Sequence, residues 1–238
     1  MPEEGIRSGQ SLEPNATKRV NQGMKKFLRD NGLSLALVGS FLALFLGGQL
    51  FCGWNVHNED LRNHGVADLS LGQYLHSAHF LEATSENWES EFLEMFVYVT
   101  ITVFLYQRGS AESNDPDKKK PARSVTAKSP WPVRKGGWWR KIYARSLSLS
   151  FLLLFLIAFA MHANGSTRLE NEERAWRGEA PQSLIEHIKG PEFWFQSFQN
   201  WQSEFLAISS MVVLSIFLRE KDSPESKPVE APHAETGG

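Results

Sequence analysis

Two glutamates at matching positions of a duplicated motif are the best candidates for chemistry in this sequence. Glu91 and Glu204 lie in the segments 87–93 and 200–206, which are identical at six of seven positions and stand 113 residues apart. A carboxylate inside a membrane is costly and by default indicates a proton or ion site. Eleven residues further on, about three helical turns along the same face, lie Thr102 and Ser215. This spacing predicts a polar line between two helices, with Glu91 and Glu204 as a titrating pair.

A structural interpretation of the same motif competes with the functional one. If Asn87 and Asn200 are helix N-caps, both glutamates fall in the first helical turn, where the helix dipole and free N–H groups stabilise a carboxylate. The sequence favours this capping interpretation. The remaining motif residues also fit a structural role. Trp88 and Trp201 are expected to anchor the helices at the headgroup level. Ser90 and Ser203 are expected to bond the backbone or to pack between neighbouring helices.

The histidines predict no cofactor. His76 and His79 are three residues apart on a predicted outer helix, a spacing that could bind a metal ion. The corresponding residues of the second motif copy are Lys189 and Glu192, so we predict solvated loop histidines and no metal site. His162 is the only histidine in a predicted span, at its outer end. A haem held between helices needs histidines facing one another inside the bundle, so a b-type cytochrome is not expected.

The sequence contains no recognisable catalytic constellation. It has no phosphate-binding loop, glycine-rich dinucleotide turn, nucleophile elbow, metalloprotease pair or calcium loop. Its single cysteine rules out a disulfide framework and a dithiol relay. We therefore predict no enzymatic activity and no catalytic residue.

The elements that must position these residues are membrane-spanning helices. The 238-residue chain has a mean hydropathy of −0.32, which is ordinary for a soluble protein, but its apolar residues are clumped. Segments 33–54 and 146–167 contain no charged residue, and each is long enough to cross a bilayer, which needs about 20 mostly apolar residues. Two shorter apolar runs end at Arg108 and Arg219. The sequence predicts four spans, at about 33–53, 88–107, 145–163 and 200–219.

The distribution of basic residues predicts the orientation of these spans. Lysine and arginine are concentrated before the first span, between the second and third, and after the fourth, whereas the two remaining loops are acidic on balance. Basic loops stay on the cytoplasmic side. We therefore expect both termini and the central linker in the cytoplasm, and the two acidic loops outside.

The duplication predicts the fold class. Each copy consists of a span, an outer loop and a second span, so both copies face the same way and are related by an axis along the membrane normal. We predict an all-α membrane protein with four transmembrane helices in two tandem parallel two-helix repeats, 27–108 and 138–221. Each outer loop is expected to carry a short amphipathic helix, at 71–81 in the first copy and from Leu184 to Ile188 in the second.

Three segments are predicted to be disordered: the N-terminus (1–26), the linker (109–137) and the tail (222–238). The linker is rich in Lys, Pro and Ser, and basic residues interleave with tryptophans from Trp131 onward. Basic and aromatic residues together can bind nucleic acid. Next to a membrane, however, this composition favours anionic lipid headgroups, at about 1 kcal/mol per basic residue. We expect lipid and no nucleic acid as the partner.

The doubled Asn-Trp-x-Ser-Glu-Phe-Leu motif and the span ends Phe104–Ser110 and Phe217–Glu220 resemble an uncharacterised family of small bacterial integral membrane proteins, a domain of unknown function. The resemblance covers about 27–229. It implies four spans and a location in the bacterial cytoplasmic membrane, and it assigns no activity and no site residue.

Two functions fit these observations. The sequence favours a non-enzymatic membrane scaffold or partner-binding protein. The alternative is a small proton-linked carrier or channel that uses Glu91 and Glu204 and would require a homodimer, because four short helices enclose little space.

Overall fold

The computed structural model describes residues 14–118, 121 and 123–237, with side chains from residue 21 onward. Residues 1–13 of the predicted disordered N-terminus lie outside the described residues. Every regular element in the described part is helical. The chain divides after Glu59 into two compact units.

The first unit consists of one long helical stretch. Helix α1 (Pro14–Leu44) continues through a π-helical segment (Phe45–Cys52) into α2 (Gly53–Asn63), whose last turn belongs to the second unit. The predicted first span, 33–53, lies inside this stretch, but the helix begins well before it, so 14–26 is helical rather than disordered. Its large apolar side chains are exposed, with Leu33 at 73% and Leu44 at 72%.

The second unit is built on three long helices. These are α4 (Ala78–Ile101), α7 (Ser146–Trp176) and α9 (Pro191–Phe217), and α4 packs against both of the others. Shorter helices precede them: α3 (Leu71–Tyr74), α5 (Trp131–Lys135), α6 (Gly137–Tyr143) and α8 (Leu184–Lys189).

Helices α4 and α7 meet along a seam of small and polar residues. Buried positions on each helix recur at spacings of four and three residues, which places them on one face. They are Ala78, Glu82, Ser85 and Glu89 on α4, and Ala158, His162 and Gly165 on α7. Small side chains allow the two backbones to approach closely, and this approach brings the seam's acidic residues beside its histidine.

Serine residues cap the two short helices α3 and α8. The hydroxyl groups of Ser70 and Ser183, which are 113 residues apart, accept the first free N–H groups of α3 and α8 in capping boxes. The prediction of one helix over 71–81 is wrong, because Ser77 adopts an extended conformation and starts α4. His76 therefore lies in the turn between two helices and does not share a helical face with His79.

The predicted disordered segments contain ordered turns. The Gly109 N–H donates to Thr236 Oγ1 at 2.9 Å, and the Gly237 N–H donates to the Ser110 carbonyl at 2.9 Å. Segments 109–118 and 222–237 are thus joined by hydrogen bonds at Gly109, Ser110 and Gly237. Their composition is typical of disorder, but their Ser and Thr hydroxyls satisfy backbone groups in turns. The rest of the linker includes α5, which also lies in the segment predicted to be disordered.

Among the described residues, two helices are long and apolar enough to cross a membrane. They are Asn21–Asn63, which has 43 residues, and Ser146–Trp176, which has 31. The other two predicted spans, 88–107 and 200–219, coincide only in part with helices, because α4 ends at Ile101 and α9 ends at Phe217. Neither α4 nor α9 is among the described helices that are long and apolar enough to cross a membrane.

Candidate functional site

The capping interpretation of the duplicated motif is wrong. Asn87 is the tenth residue of α4, whose N-cap is Ser77, and Asn200 is the tenth residue of α9, which begins at Pro191. Both asparagines therefore lie well inside their helices. The two motif copies hold the same position in their helices, and neither glutamate lies in a first turn.

The motif side chains make helix-internal contacts instead of caps. Asn87 Nδ2 donates to the Ala83 carbonyl at 2.7 Å, and the hydroxyl groups of Ser90 and Ser203 each donate to a backbone carbonyl three residues earlier at 2.8 Å. Trp88 and Trp201 are both half-buried. These contacts tie the motif to its own helices and leave the carboxylates to face other groups.

The structure brings the two predicted carboxylates together and adds a third. Glu91 and Glu94 on α4 and Glu204 on α9 each place a carboxylate oxygen within 4.8 Å of the others. Glu94 is buried, Glu204 is half-buried and Glu91 is exposed. These three glutamates form the carboxylate cluster. It joins α4 to α9, as the pairing of Glu91 with Glu204 predicts.

The predicted polar line does not continue to Thr102 and Ser215. Thr102 ends α4, and its hydroxyl donates to the Tyr98 carbonyl of the same helix at 2.9 Å. The Ser215 hydroxyl lies 2.9 Å from that of Ser110, in the turn that follows α4. These two hydroxyls stabilise a helix end and a turn, so they do not extend the carboxylate cluster.

A second polar group lies in the seam between α4 and α7. His162 Nδ1 is 2.6 Å from Glu89 Oε2, and the two side chains are 0% and 1% exposed. The other oxygen of Glu89 accepts the Trp201 indole N–H at 3.0 Å. The Glu89 carboxylate thus links α4, α7 and α9 through one buried and one partly buried hydrogen bond.

Two further glutamates adjoin this histidine. Glu82 and Glu86, one turn apart on α4, place carboxylate oxygens within 4.8 Å of each other and of a His162 ring nitrogen. Asn200 Nδ2 donates to Glu86 Oε1, which fixes that carboxylate from α9.

His187 forms a third polar contact, with the C-terminal half of α7. Its Nε2 lies 2.7 Å from the Ser166 hydroxyl and its Nδ1 lies 2.9 Å from Gln182 Nε2. Burial lowers the pKa of His187. A cavity of about 40 Å³ separates this histidine from Glu82. Its other lining residues are mostly acidic or polar: Ser166, Leu169, Glu170, Glu173, Glu192 and Gln196.

Sequence reasoning missed the group around His162. The spacing of Glu82, Glu86 and Glu89 is a sequence signal for one acidic helix face, but nothing local to α4 indicates that His162 packs against it. The candidate pair His76 and His79 is not supported, since His79 Nδ1 is 3.1 Å from the Tyr74 hydroxyl and His76 lies in an exposed turn.

These features define an all-helical protein with two helices long and apolar enough to cross a membrane, and with buried acidic groups between its long helices. The chain belongs to the family described as a domain of unknown function, DUF6766, which matches residues 24–238. The expected resemblance to an uncharacterised family, a domain of unknown function, is thereby confirmed. No curated protein and no solved structure matches the chain.

Proposed function

We propose that this chain is a multi-pass protein of the bacterial cytoplasmic membrane that carries protons or small cations through the carboxylate cluster. In this proposal α4 and α9 supply the second and fourth spans, and both termini and the basic linker are cytoplasmic. No chemical reaction is assigned to the protein, which would act as a carrier or channel rather than as an enzyme.

The four proposed spans are supported by equivalent features in the two copies of the sequence repeat. Asn87 and Asn200 occupy the tenth position of their helices, and Ser70 and Ser183 make the same capping box 113 residues apart. A tandem duplication accounts for both correspondences. Since the apolar stretch of the first copy corresponds to that of α7, we infer two spans per copy.

The observation that carries the proposed transport function is the approach of Glu91, Glu94 and Glu204 to within 4.8 Å between two helices. Two unit charges 4 Å apart repel by about 4 kcal/mol at an effective dielectric of about 20. A proton or cation bound between these carboxylates removes that repulsion. An ionisable group inside a span marks an ion pathway by default.

This function replaces the scaffold as the leading proposal because the capping interpretation, which gave the glutamates a purely structural role, does not fit their helix positions. We infer that a dimer is the transporting form, since one chain encloses little space between its helices. The basic segment at α5 and α6 is proposed to contact anionic lipid headgroups, as its exposed Trp131, Trp138 and Trp139 are suited to the interface.

Flux measurement in proteoliposomes tests the proposal. Purified protein is reconstituted, a pH or potassium gradient is imposed, and proton movement is followed with an internal pH-sensitive dye. We expect wild-type flux to be lost in the Glu91→Gln/Glu204→Gln double variant and in Glu94→Gln. The exposed tail variant Glu230→Gln is the matched control and should keep wild-type flux.

The outcome separates the two functions. If folded wild-type protein moves neither protons nor potassium or sodium ions, the carrier proposal is wrong and the partner-binding function takes its place. Equal flux in wild type and the double variant also contradicts the assigned site. Folding of each variant is checked by gel filtration and thermal unfolding in detergent.

A further inference from the structure

A buried histidine with one uncommitted ring nitrogen lies beside two carboxylates in the seam between α4 and α7. His162 is 0% exposed, and its Nε2 is buried with no hydrogen-bond partner in the described part of the chain. A buried polar atom without a partner is costly and calls for a ligand. Its neighbours Glu82 and Glu86 offer oxygens within 4.8 Å of a His162 nitrogen.

We propose that Glu82, Glu86 and His162 bind a divalent transition-metal ion, for which Zn²⁺ is the probe. The two oxygens and one nitrogen form a three-ligand set with a position left for water. Bonds to zinc of about 2.0–2.2 Å would draw these side chains together from their present separation. The site is distinct from the carboxylate cluster, so it extends the protein's function beyond the proposed transport.

Glu89 gives the arrangement its second, independent support. Histidines that bind metals almost always hydrogen-bond a carboxylate or carbonyl through the ring nitrogen that does not bind the metal. Glu89 Oε2 holds His162 Nδ1 at 2.6 Å, which leaves Nε2 as the ligand atom. The Trp201 N–H at 3.0 Å in turn fixes Glu89. Glu89 is therefore a positioning residue rather than a ligand.

The two glutamates are held in a comparable way. Asn200 Nδ2 bonds one oxygen of Glu86, and this leaves the other oxygen available. Glu82 lies at a close approach of α4 to α7, because a Cβ atom at Gly165 would lie only 2.7 Å from the Glu82 backbone nitrogen. Ligands fixed from three helices are pre-organised, and such support is what a tight metal site requires.

Charge and access favour a cation at this position. Glu82, Glu86 and Glu89 bring three carboxylates to one imidazole, so a divalent cation would balance their negative charge. Glu82 also lines the small cavity of about 40 Å³, whose wall includes Glu170, Glu173 and Glu192. A volume of this size holds at least one water molecule, and its acidic wall attracts cations.

The donor set selects the class of metal. Imidazole nitrogen suits zinc, iron, copper and nickel, whereas Mg²⁺ and Ca²⁺ prefer oxygen ligands alone. A mixed set of one nitrogen and two carboxylate oxygens therefore favours Zn²⁺ or Fe²⁺ over Mg²⁺ and Ca²⁺.

The test is metal binding by the purified full-length protein in detergent. The protein is stripped with a chelator, titrated with Zn²⁺ by calorimetry, and titrated separately with Co²⁺ to record visible absorption. We expect one high-affinity Zn²⁺ per chain and a ligand-field spectrum with Co²⁺. The Glu82→Gln/Glu86→Gln variant should lose at least a hundredfold in affinity, and Glu89→Gln should lose about ten- to a hundredfold.

Two matched controls make the result specific. His76→Gln removes an exposed imidazole and Glu230→Gln an exposed carboxylate, and both should bind Zn²⁺ like wild type. If the double variant is unfolded, the half-buried Glu86→Gln alone decides the outcome, with at least a tenfold loss expected. Equal affinities in wild type and Glu86→Gln, or loss of binding in His76→Gln instead, would overturn the proposal.

Discussion

Gly165 on α7 lies directly against the backbone of Glu82 on α4. A Cβ atom at position 165 would lie 2.7 Å from the Glu82 nitrogen and 2.9 Å from its Cα. Both atoms belong to the main chain, so no side-chain rotation can relieve the contact. The close approach of the two helices, and with it the position of Glu82 beside His162, thus depends on the absence of a side chain at residue 165.

Gly165→Ala should therefore push α4 and α7 apart. Overpacking of a tight contact typically costs about 1–3 kcal/mol, and this cost outweighs the gain of about 1 kcal/mol that alanine brings to a helix. Thermal unfolding in detergent, followed by circular dichroism, measures the change. Gly39→Ala in α1 is the matched control, because nothing lies within 4 Å of a Cβ there, and it should leave stability unchanged or higher. Equal stabilities of Gly165→Ala and wild type would contradict a close backbone contact.

The Glu89–His162 pair should contribute strongly to stability. Removal of one partner of a buried pair costs about 3–5 kcal/mol, because the other partner is left uncompensated. We expect Glu89→Ala to lose about this much of the unfolding free energy, and Glu89→Gln to lose less, since its amide oxygen still accepts the Trp201 N–H. Unfolding of chelator-treated protein, in a double-mutant cycle with His162→Ala, isolates the coupling between the two side chains. A coupling near zero would show that the pair is not formed.

The duplicated motif shows how far the sequence alone could go. Its spacing predicted that Glu91 and Glu204 occupy equivalent places, and the structure puts both at the fourteenth position of their helices. It could not place the helix starts, because Asn87 is itself a good N-cap residue. The helices begin earlier than the motif, after the Ser77 cap in α4 and at Pro191 in α9.

The group around His162 could not be found from the sequence for a different reason. Glu89 and His162 are 73 residues apart and meet only because α4 and α7 pack on a shared seam. No periodicity within either segment carries that information. The contacts of the tail could not be predicted for a similar reason. Its composition, rich in Pro, Ser and Glu, predicts disorder, whereas its hydrogen bonds to the turn after α4 join residues far apart in the sequence.

The pH dependence of stability should include a contribution from His187. Burial lowers its folded-state pKa below the ordinary value near 6.5, so the unfolded chain binds the proton more readily. Its contribution to stability is complete above about pH 6.5 and is lost as the pH falls through the folded-state pKa. Unfolding midpoints measured between pH 5 and 8 should fall toward acid, and less steeply in His187→Gln. The exposed His76→Gln should follow the wild-type curve, and parallel curves for His187→Gln and wild type would refute the assignment.

Lys227 should hold the tail in its folded form. Its ammonium group donates to the carbonyls of Pro232, His233 and Glu235 at 3.3, 3.0 and 2.9 Å, and its side chain is 1% exposed. Hydrogen bonds to charged groups contribute about 1.5–3 kcal/mol each, so Lys227→Ala should open the tail locally while the helices stay folded.

Limited proteolysis with a glutamyl endopeptidase, which can cut at Glu225, Glu230 and Glu235, measures this opening. Because cleavage follows the open population, we expect tail cleavage in Lys227→Ala to be at least tenfold faster than in wild type. Lys221→Ala, which removes an exposed lysine of the same segment, should be cleaved at the wild-type rate. If both variants are cleaved as fast as wild type, the carbonyl contacts of Lys227 do not hold the tail. The result thus separates a folded tail from the disordered one that its composition indicates.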